Sequence, residues 1–194
     1  MKIHVIAVAY QRPEPLEILV RSFRVQTNHN WTLRIIHDGP PIDGMEKFCK
    51  SLKDPRIEFD YTKKANGHFG HVNRSMMLQD TKGDPGDYVL LTNDDNYYVP
   101  MFIEIMLEMC NTKVGFVFCN TVHNYMRYDV LQTQIRVGRI DMGSFIVRLD
   151  VAQTVGFNHT VEVADGIYAE ECAAECRKRG LMIVGIPKPL FIHN

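Results

Sequence analysis

Through residue 119 the chain alternates short apolar runs with stripes of helical spacing, and this alternation constrains the fold more than any other feature. Ile3, Val5, Ile6 and Val8 form a nearly continuous apolar run, the pattern of a strand buried on both faces of a parallel sheet. Pro13 and Pro15 open a helix in which Leu16, Leu19, Val20 and Phe23 recur at i, i+3, i+4 and i+7. A second strand over Leu33–Ile36 ends in His37-Asp38-Gly39-Pro40, and Met45, Phe48, Cys49 and Leu52 repeat the helical spacing. Ile57–Tyr61 reads as a third strand, Val72–Leu78 as a helix and Tyr88–Thr92 as a fourth strand. Pro100 starts another helix, and Val114–Cys119 is a fifth apolar run. Strand and helix in strict turn predict an α/β domain with a mostly parallel sheet.

The last third is less regular. Asn120–Gln134 is polar and ambiguous, Ser144–Arg148 is strand-like, and a helix runs from about Gly166 to a stop at Gly180. No linker or repeat interrupts the chain, so residues 1–194 read as one domain. Hydrophobic residues at 45% and a net charge of −1 exclude a disordered chain, and the charge balance excludes broad binding to nucleic acid. No apolar stretch reaches the ~18 residues of a membrane span, and the amino terminus lacks the pattern of a signal peptide. Five cysteines without a secretory signal fit reduced thiols in a cytoplasmic protein. Cys172 and Cys176 share a helix face with Tyr168 and lack further Cys or His ligands nearby, which assigns them to the core.

In an open parallel α/β sheet, ligands bind beyond the carboxyl ends of the strands, where Asp38 and Asp94-Asp95-Asn96 fall. Adjacent carboxylates with no basic residue near them in sequence repel one another, and a hard divalent cation wants such oxygen ligands. One reading is therefore a Mg²⁺ or Mn²⁺ site holding a diphosphate. The other is a solvated turn in which an Asp caps the helix at Pro100.

Five segments in order carry a resemblance that bears on this choice. They are "VIAVAYQRPEPLEILVRSFRVQT", "IIHDGP", "YVLLTNDDNYYVP", "GSFIVRLDVAQTVGF" and "ADGIYAEECAAECRKRGLMIVGIP". Together they resemble the inverting nucleotide-diphospho-sugar glycosyltransferases of family 2, end to end. The resemblance implies a GT-A fold, a Rossmann-like, mostly parallel central sheet flanked by helices. It also implies a nucleotide-sugar half over residues 1–119 and an acceptor and catalytic-base half over 120–194.

The resemblance also implies roles. Asp38 matches the carboxylate that binds the nucleotide base, with Ala9, Tyr10 and Arg12 at the first-strand edge lining the same nucleotide site and Tyr10 offering a stacking face. Asp95 matches the metal-coordinating aspartate of the Asp-x-Asp (DXD) motif, Asp94 its neighbour on the ribose or sugar side, and Asn96 stands where a third acid is frequent. Asn73 matches a frequent Asn, while Val72 replaces a frequent Arg, so Lys63, Lys64 or Arg74 is left to supply charge near the diphosphate. Asp165 matches the catalytic base, and His193 a second metal ligand. Arg136, Arg139 and Arg148 are compatible with an anionic acceptor.

The implied activity is metal-dependent (Mn²⁺ or Mg²⁺) transfer of a sugar from a UDP or GDP donor to a carbohydrate or other hydroxyl acceptor. A chain ending at Asn194, where many relatives continue, implies a small, exposed acceptor or a homo-oligomer in which a second subunit completes the site. Two other readings stand beside this one: a nucleotide-sugar-binding module without turnover, and a sugar-nucleotide pyrophosphorylase. The second is disfavoured because Ala9-Tyr10-Gln11-Arg12-Pro13 lacks the Gly-rich loop that holds a triphosphate. No G-x-G-x-x-G follows the first strand, which sets aside a dinucleotide oxidoreductase.

Overall fold

The computed structural model describes residues 1–42 and 44–194. Its elements follow in order as β1 (Ile3–Ala9), α1 (Pro13–Arg24), β2 (Trp31–His37), α2 (Met45–Ser51), β3 (Ile57–Tyr61), α3 (His71–Asp80), β4 (Tyr88–Asn93), β5 (Tyr97–Tyr98), α4 (Phe102–Glu108), β6 (Val114–His123), β7 (Asp129–Leu131), β8 (Phe145–Arg148), α5 (Leu149–Val155), α6 (Ala164–Lys178) and β9 (Met182–His193). Strand order is β3-β2-β1-β4-β8-β6-β9-β5, with β7 paired to β6. The pairs β1–β2, β2–β3 and β1–β4 are parallel, as the alternation requires. β8 enters antiparallel between β4 and β6, and β6 then pairs parallel with β9, so the second half is mixed.

Side-chain alternation in β1 builds a core on each face. Ile3, Val5 and Ala7 pack with Leu16, Leu19 and Phe23 of α1 and Phe102 of α4. Ile6 and Val8 face Met77 and Leu78 of α3, Val151 of α5 and Tyr168, Cys172 and Cys176 of α6. All five cysteines are buried and free.

Three differences from the sequence expectation have local causes. β6 runs on past Cys119 to His123, because Thr121 and Val122 keep their ladder partners in β7 and β9. The segment after Ser144–Arg148 turns into helix α5, closed by Gly156. Strand β9 was not expected at all; its Pro187 and Pro189 fall where the β6–β9 register shifts, the places in a sheet that tolerate proline.

Candidate active site

The carboxyl ends of β1, β2 and β4 open onto one crevice, as the parallel topology demands. Asp38, just after β2, donates its N–H to the Ala9 carbonyl at 2.9 Å. Its carboxylate accepts from Asn66 N (2.7 Å), Asn73 Nδ2 (2.8 Å) and Gly67 N (2.9 Å), so it organises the 66–70 loop from beneath. Gly70, at φ +75°, is required there: a Cβ would sit 2.4 Å from Val8 Cγ1. Loop and strand ends enclose a cavity of about 420 Å³ lined by Ala9, Tyr10, Arg12, Asp38, Phe69, Gly70, Arg74 and Asn93. Tyr10 is half exposed and its ring stacks on His37 at 6.0 Å. His37 is itself fixed, donating through Nδ1 to Gly39 O (2.8 Å) and accepting from Gln11 N (3.0 Å) at Nε2.

Asp94 and Asp95 follow β4. No basic residue is near them in sequence, and the fold brings one from more than 80 residues away: Arg12 bonds Asp94 Oδ1 through Nη2 at 2.5 Å and Asp95 Oδ2 through Nη1. Asp94 is fully buried and also accepts from Tyr10 N at 2.9 Å, so it holds Tyr10 and Arg12 from behind the cavity wall. Burial pushes its carboxyl up to about 6 against the pull of Arg12. Asn73 is likewise buried, bonded to Asn66 and Asp38, and reaches the cavity only through the loop it braces. Asp95 has one buried oxygen, Oδ1, without a hydrogen-bond partner.

A second cavity, of about 430 Å³, adjoins the first and shares Phe69, Arg74 and Asn93 with it. Arg74 is 1% exposed at this seam. Its Nη1 donates to Phe69 O (2.6 Å), its Nη2 to Asn93 Oδ1, and its Nε has no partner. Burial lowers its pKa to about 10, opposed by Asp141, Asp94, Asp165 and Asp95, so the guanidinium stays charged at neutral pH. Of the three cations weighed from the sequence, Arg74 is the one in the crevice; Lys63 and Lys64 line neither cavity.

Asp165 lines the second cavity from the first turn of α6. The 136–139 loop packs against that turn, where a Cβ on Gly166 would lie 2.6 Å from Val137 Cα. Burial, then the charge of Asp141, raises Asp165 to about 6. His193 at the end of β9 lines the same cavity and pairs in register with His123 of β6; their rings stack at 4.2 Å. His123, Asp141 and His193 place one ligand atom each within 4.8 Å of one another. The Nδ1–H of His193 donates to Asn124 Oδ1 (3.1 Å), which leaves its Nε2 lone pair facing Asp141 Oδ2 at 3.4 Å. Two lone-pair bearers so placed fit a cation.

His123 and Asp141 were missed in the sequence. The signal available for His123 was slight, four residues beyond the apolar run Val114–Cys119 in a polar segment; Asp141 stood alone in an irregular segment. Asp95 lies outside the tight His–Asp–His group, although its charge acts on both Asp141 and His193. Arg148 is corrected outright: it pairs in register with Tyr88 at the opposite end of β4 from the crevice and bonds Asp150 at 2.6 Å. Arg136 and Arg139 are exposed and line neither cavity.

The family model for glycosyl transferase family 2 matches residues 4–162. The chain belongs to that family. This family member superposes over 100% of its length on S. aureus TarS 1-349 in complex with UDP (TM-score 0.77, 12% identity, 60% of that chain). The complex of the same protein with UDP-GlcNAc gives a TM-score of 0.76 at 11% identity, with 100% of this chain and 58% of that one covered. The mannosyltransferase PcManGT from Pyrobaculum calidifontis, in complex with GDP-Man and Mn²⁺, matches at a TM-score of 0.72 and 15% identity, over 99% of this chain and 56% of that one. The fold is accordingly GT-A, and the chain spans 60% or less of the length of these solved chains. No curated protein matches the sequence. No helix among the described residues is long and apolar enough to cross a membrane.

Proposed function

We propose that this enzyme transfers a sugar, with inversion, from a UDP- or GDP-sugar to a hydroxyl acceptor in the presence of Mn²⁺ or Mg²⁺. The observation that carries the reading is the meeting of two cavities at Arg74, with Tyr10 and Asp38 lining one and the Asp165 carboxylate the other. Tyr10 stacks on the base and the Asp38-braced loop closes over it. Arg74 Nε faces the diphosphate. The sugar then projects into the second cavity, where Asp165 takes the proton of the acceptor hydroxyl as its oxygen attacks the anomeric carbon. The new C–O bond forms on the face opposite the C–O bond to the diphosphate, whose electron pair departs with the nucleotide. His123, Asp141, His193 and Asp95 would hold the divalent ion, which supplies charge neutralisation at the departing diphosphate. The UDP, UDP-GlcNAc and GDP-Man complexes of fold relatives support this donor class, and the Mn²⁺ of one supports the ion. Five buried thiols suit a cytoplasmic setting.

The test is a panel of nucleotide sugars read by thermal shift and by nucleotide release, with Mn²⁺, with Mg²⁺ and with chelator. A melting temperature raised by one nucleotide sugar only with metal is expected; equal shifts in chelator would remove the metal from the reading.

A further inference from the structure

The second cavity has a wall that transfer chemistry alone does not require. Phe69 and Tyr125 both line it, and they are 67% and 85% exposed, exceptional for large aromatic side chains. Neither is loose. Phe69 stands at φ +55°, next to His68 at φ +51°, a backbone region that bulky residues avoid, and Arg74 grips its carbonyl at 2.6 Å. Such conformations persist where the surroundings impose them, and they cluster at ligand clamps. Tyr125 sits on a turn whose amide is bonded to Asn124 Oδ1 (2.8 Å) and His123 Nδ1 (3.3 Å), with its ring 5.9 Å from that of His193.

Apart from Arg74, the formal charges that line the same cavity are acidic. Glu162, Asp165 and Asp141 line it, and among its described lining residues Arg74 is the sole Lys or Arg, already committed to the seam with the nucleotide cavity. An acceptor carrying a phosphate or carboxylate near Glu162 and Asp165 meets like charge, which costs affinity. A pyranose ring has one face of C–H groups and a rim of hydroxyls. Its C–H face suits the negative face of an aromatic ring, and its hydroxyls suit carboxylate acceptors.

We infer that the acceptor is an uncharged saccharide, stacked on Phe69 and Tyr125 and screened against anionic competitors by Glu162 and Asp165. The inference rests on the glycosyltransfer reading above and narrows it. One acceptor hydroxyl gives its proton to Asp165 and its oxygen to the anomeric carbon, as the nucleoside diphosphate leaves with the bonding electrons. Tyr125 is a specificity residue and not a catalytic one.

The test uses the full chain with the nucleotide sugar found by the panel. The acceptor probes are methyl glycosides of glucose, galactose, mannose and N-acetylglucosamine, set against glucose 6-phosphate and methyl glucuronide. At least one neutral glycoside should speed nucleotide release above the water background, with a KM about tenfold or more below that of the anionic probes. Tyr125→Ala should raise the acceptor KM about tenfold, with a much smaller effect on donor KM, and Tyr125→Phe should restore it, as loss and return of a stacking ring predict. Glu162→Lys should improve use of glucose 6-phosphate. Nucleotide release stimulated by anionic probes alone, by no probe, or with acceptor KM unmoved in Tyr125→Ala overturns the acceptor inference while leaving donor chemistry intact. Failure of every nucleotide sugar to bind overturns the glycosyltransfer reading itself.

Discussion

Asn73 and Asp38, 35 residues apart in sequence, meet in a buried hydrogen bond of 2.8 Å that ties α3 to the end of β2. With the amides of Asn66 and Gly67 on the same carboxylate, Asp38 becomes the anchor of the loop that roofs the first cavity. Asp38→Ala should therefore raise donor KM and lower the melting temperature together, since charge-assisted hydrogen bonds contribute about 1.5–3 kcal/mol. Steady-state kinetics with a melt of the same sample checks it. A donor KM that rises with no change in melting temperature would reduce Asp38 to a contact with the base alone.

Asp165→Asn keeps the shape of the side chain and removes the proton acceptor. Turnover should fall by about 10²–10⁴, with donor affinity within about twofold of the parent. Proton NMR of the wild-type product should show inversion at the anomeric carbon. Retained configuration would remove Asp165 from the role of base in a single displacement.

Burial and the charge of Asp141 raise Asp165 to about 6, and the sign of the consequence is fixed. A carboxyl whose folded pKa exceeds its unfolded value opposes folding when ionised. The penalty is absent below about pH 4, grows through the window to about 6 and is complete above it. In chelator, Asp165→Asn should melt higher than the parent at pH 7.5, and the gain should vanish at pH 4. The same group should give turnover an acid limb with an apparent pKa near 6. Equal melting temperatures at pH 7.5 would show that the carboxylate carries no such penalty.

His123→Ala and His193→Ala should each weaken Mn²⁺ binding about tenfold or more in calorimetry without nucleotide, as loss of one imidazole ligand implies. Asp95→Asn should weaken it too, through the oxygen that lacks a partner in the fold. If Asp95→Asn binds Mn²⁺ as the parent does while both histidine variants fail, the ion rests on the His–Asp–His group alone.

Arg74→Met should raise donor KM far more than acceptor KM, because the guanidinium sits where the two cavities join. Arg74→Lys should recover little, since one ammonium cannot serve Phe69 O and Asn93 Oδ1 together in the geometry of the planar fork. Circular dichroism melts separate lost binding from lost folding.

The parallel half of the fold was legible because it rests on local periodicity: β1 and β4 are apolar runs, β2 and β3 carry apolar residues at alternate positions, and α1 presents one clean stripe. Asp38 and the Asp94-Asp95 pair were legible because they end such runs. Asp94 and Asn73 turned out to brace the site from behind, a distinction that depends on burial across 84 and 35 residues of separation. The pairing of Arg12 with the two aspartates, and the convergence of His123, Asp141 and His193, come from three-dimensional approach that no spacing encodes. Strand β9 was obscured by Gly185, Pro187 and Pro189, which break the strand pattern where the ladder itself is irregular.

That irregularity sets where His193 lands. From Cys119 to Asn120 on β6, the partner in β9 moves from Ile186 to Pro189; from Asn120 to Thr121 it moves from Pro189 to Phe191. Pro187, Lys188 and Pro189 are exposed, so most substitutions there leave the core untouched. Their number is another matter. Strand side chains alternate between faces, and gaining or losing one residue turns the downstream chain over and points the imidazole away from His123. This stretch works as a spacer whose spelling is free and whose length is not, so a one-residue insertion or deletion there should abolish metal binding and, by turning Leu190 and Phe191 off the core, lower the melting temperature as well.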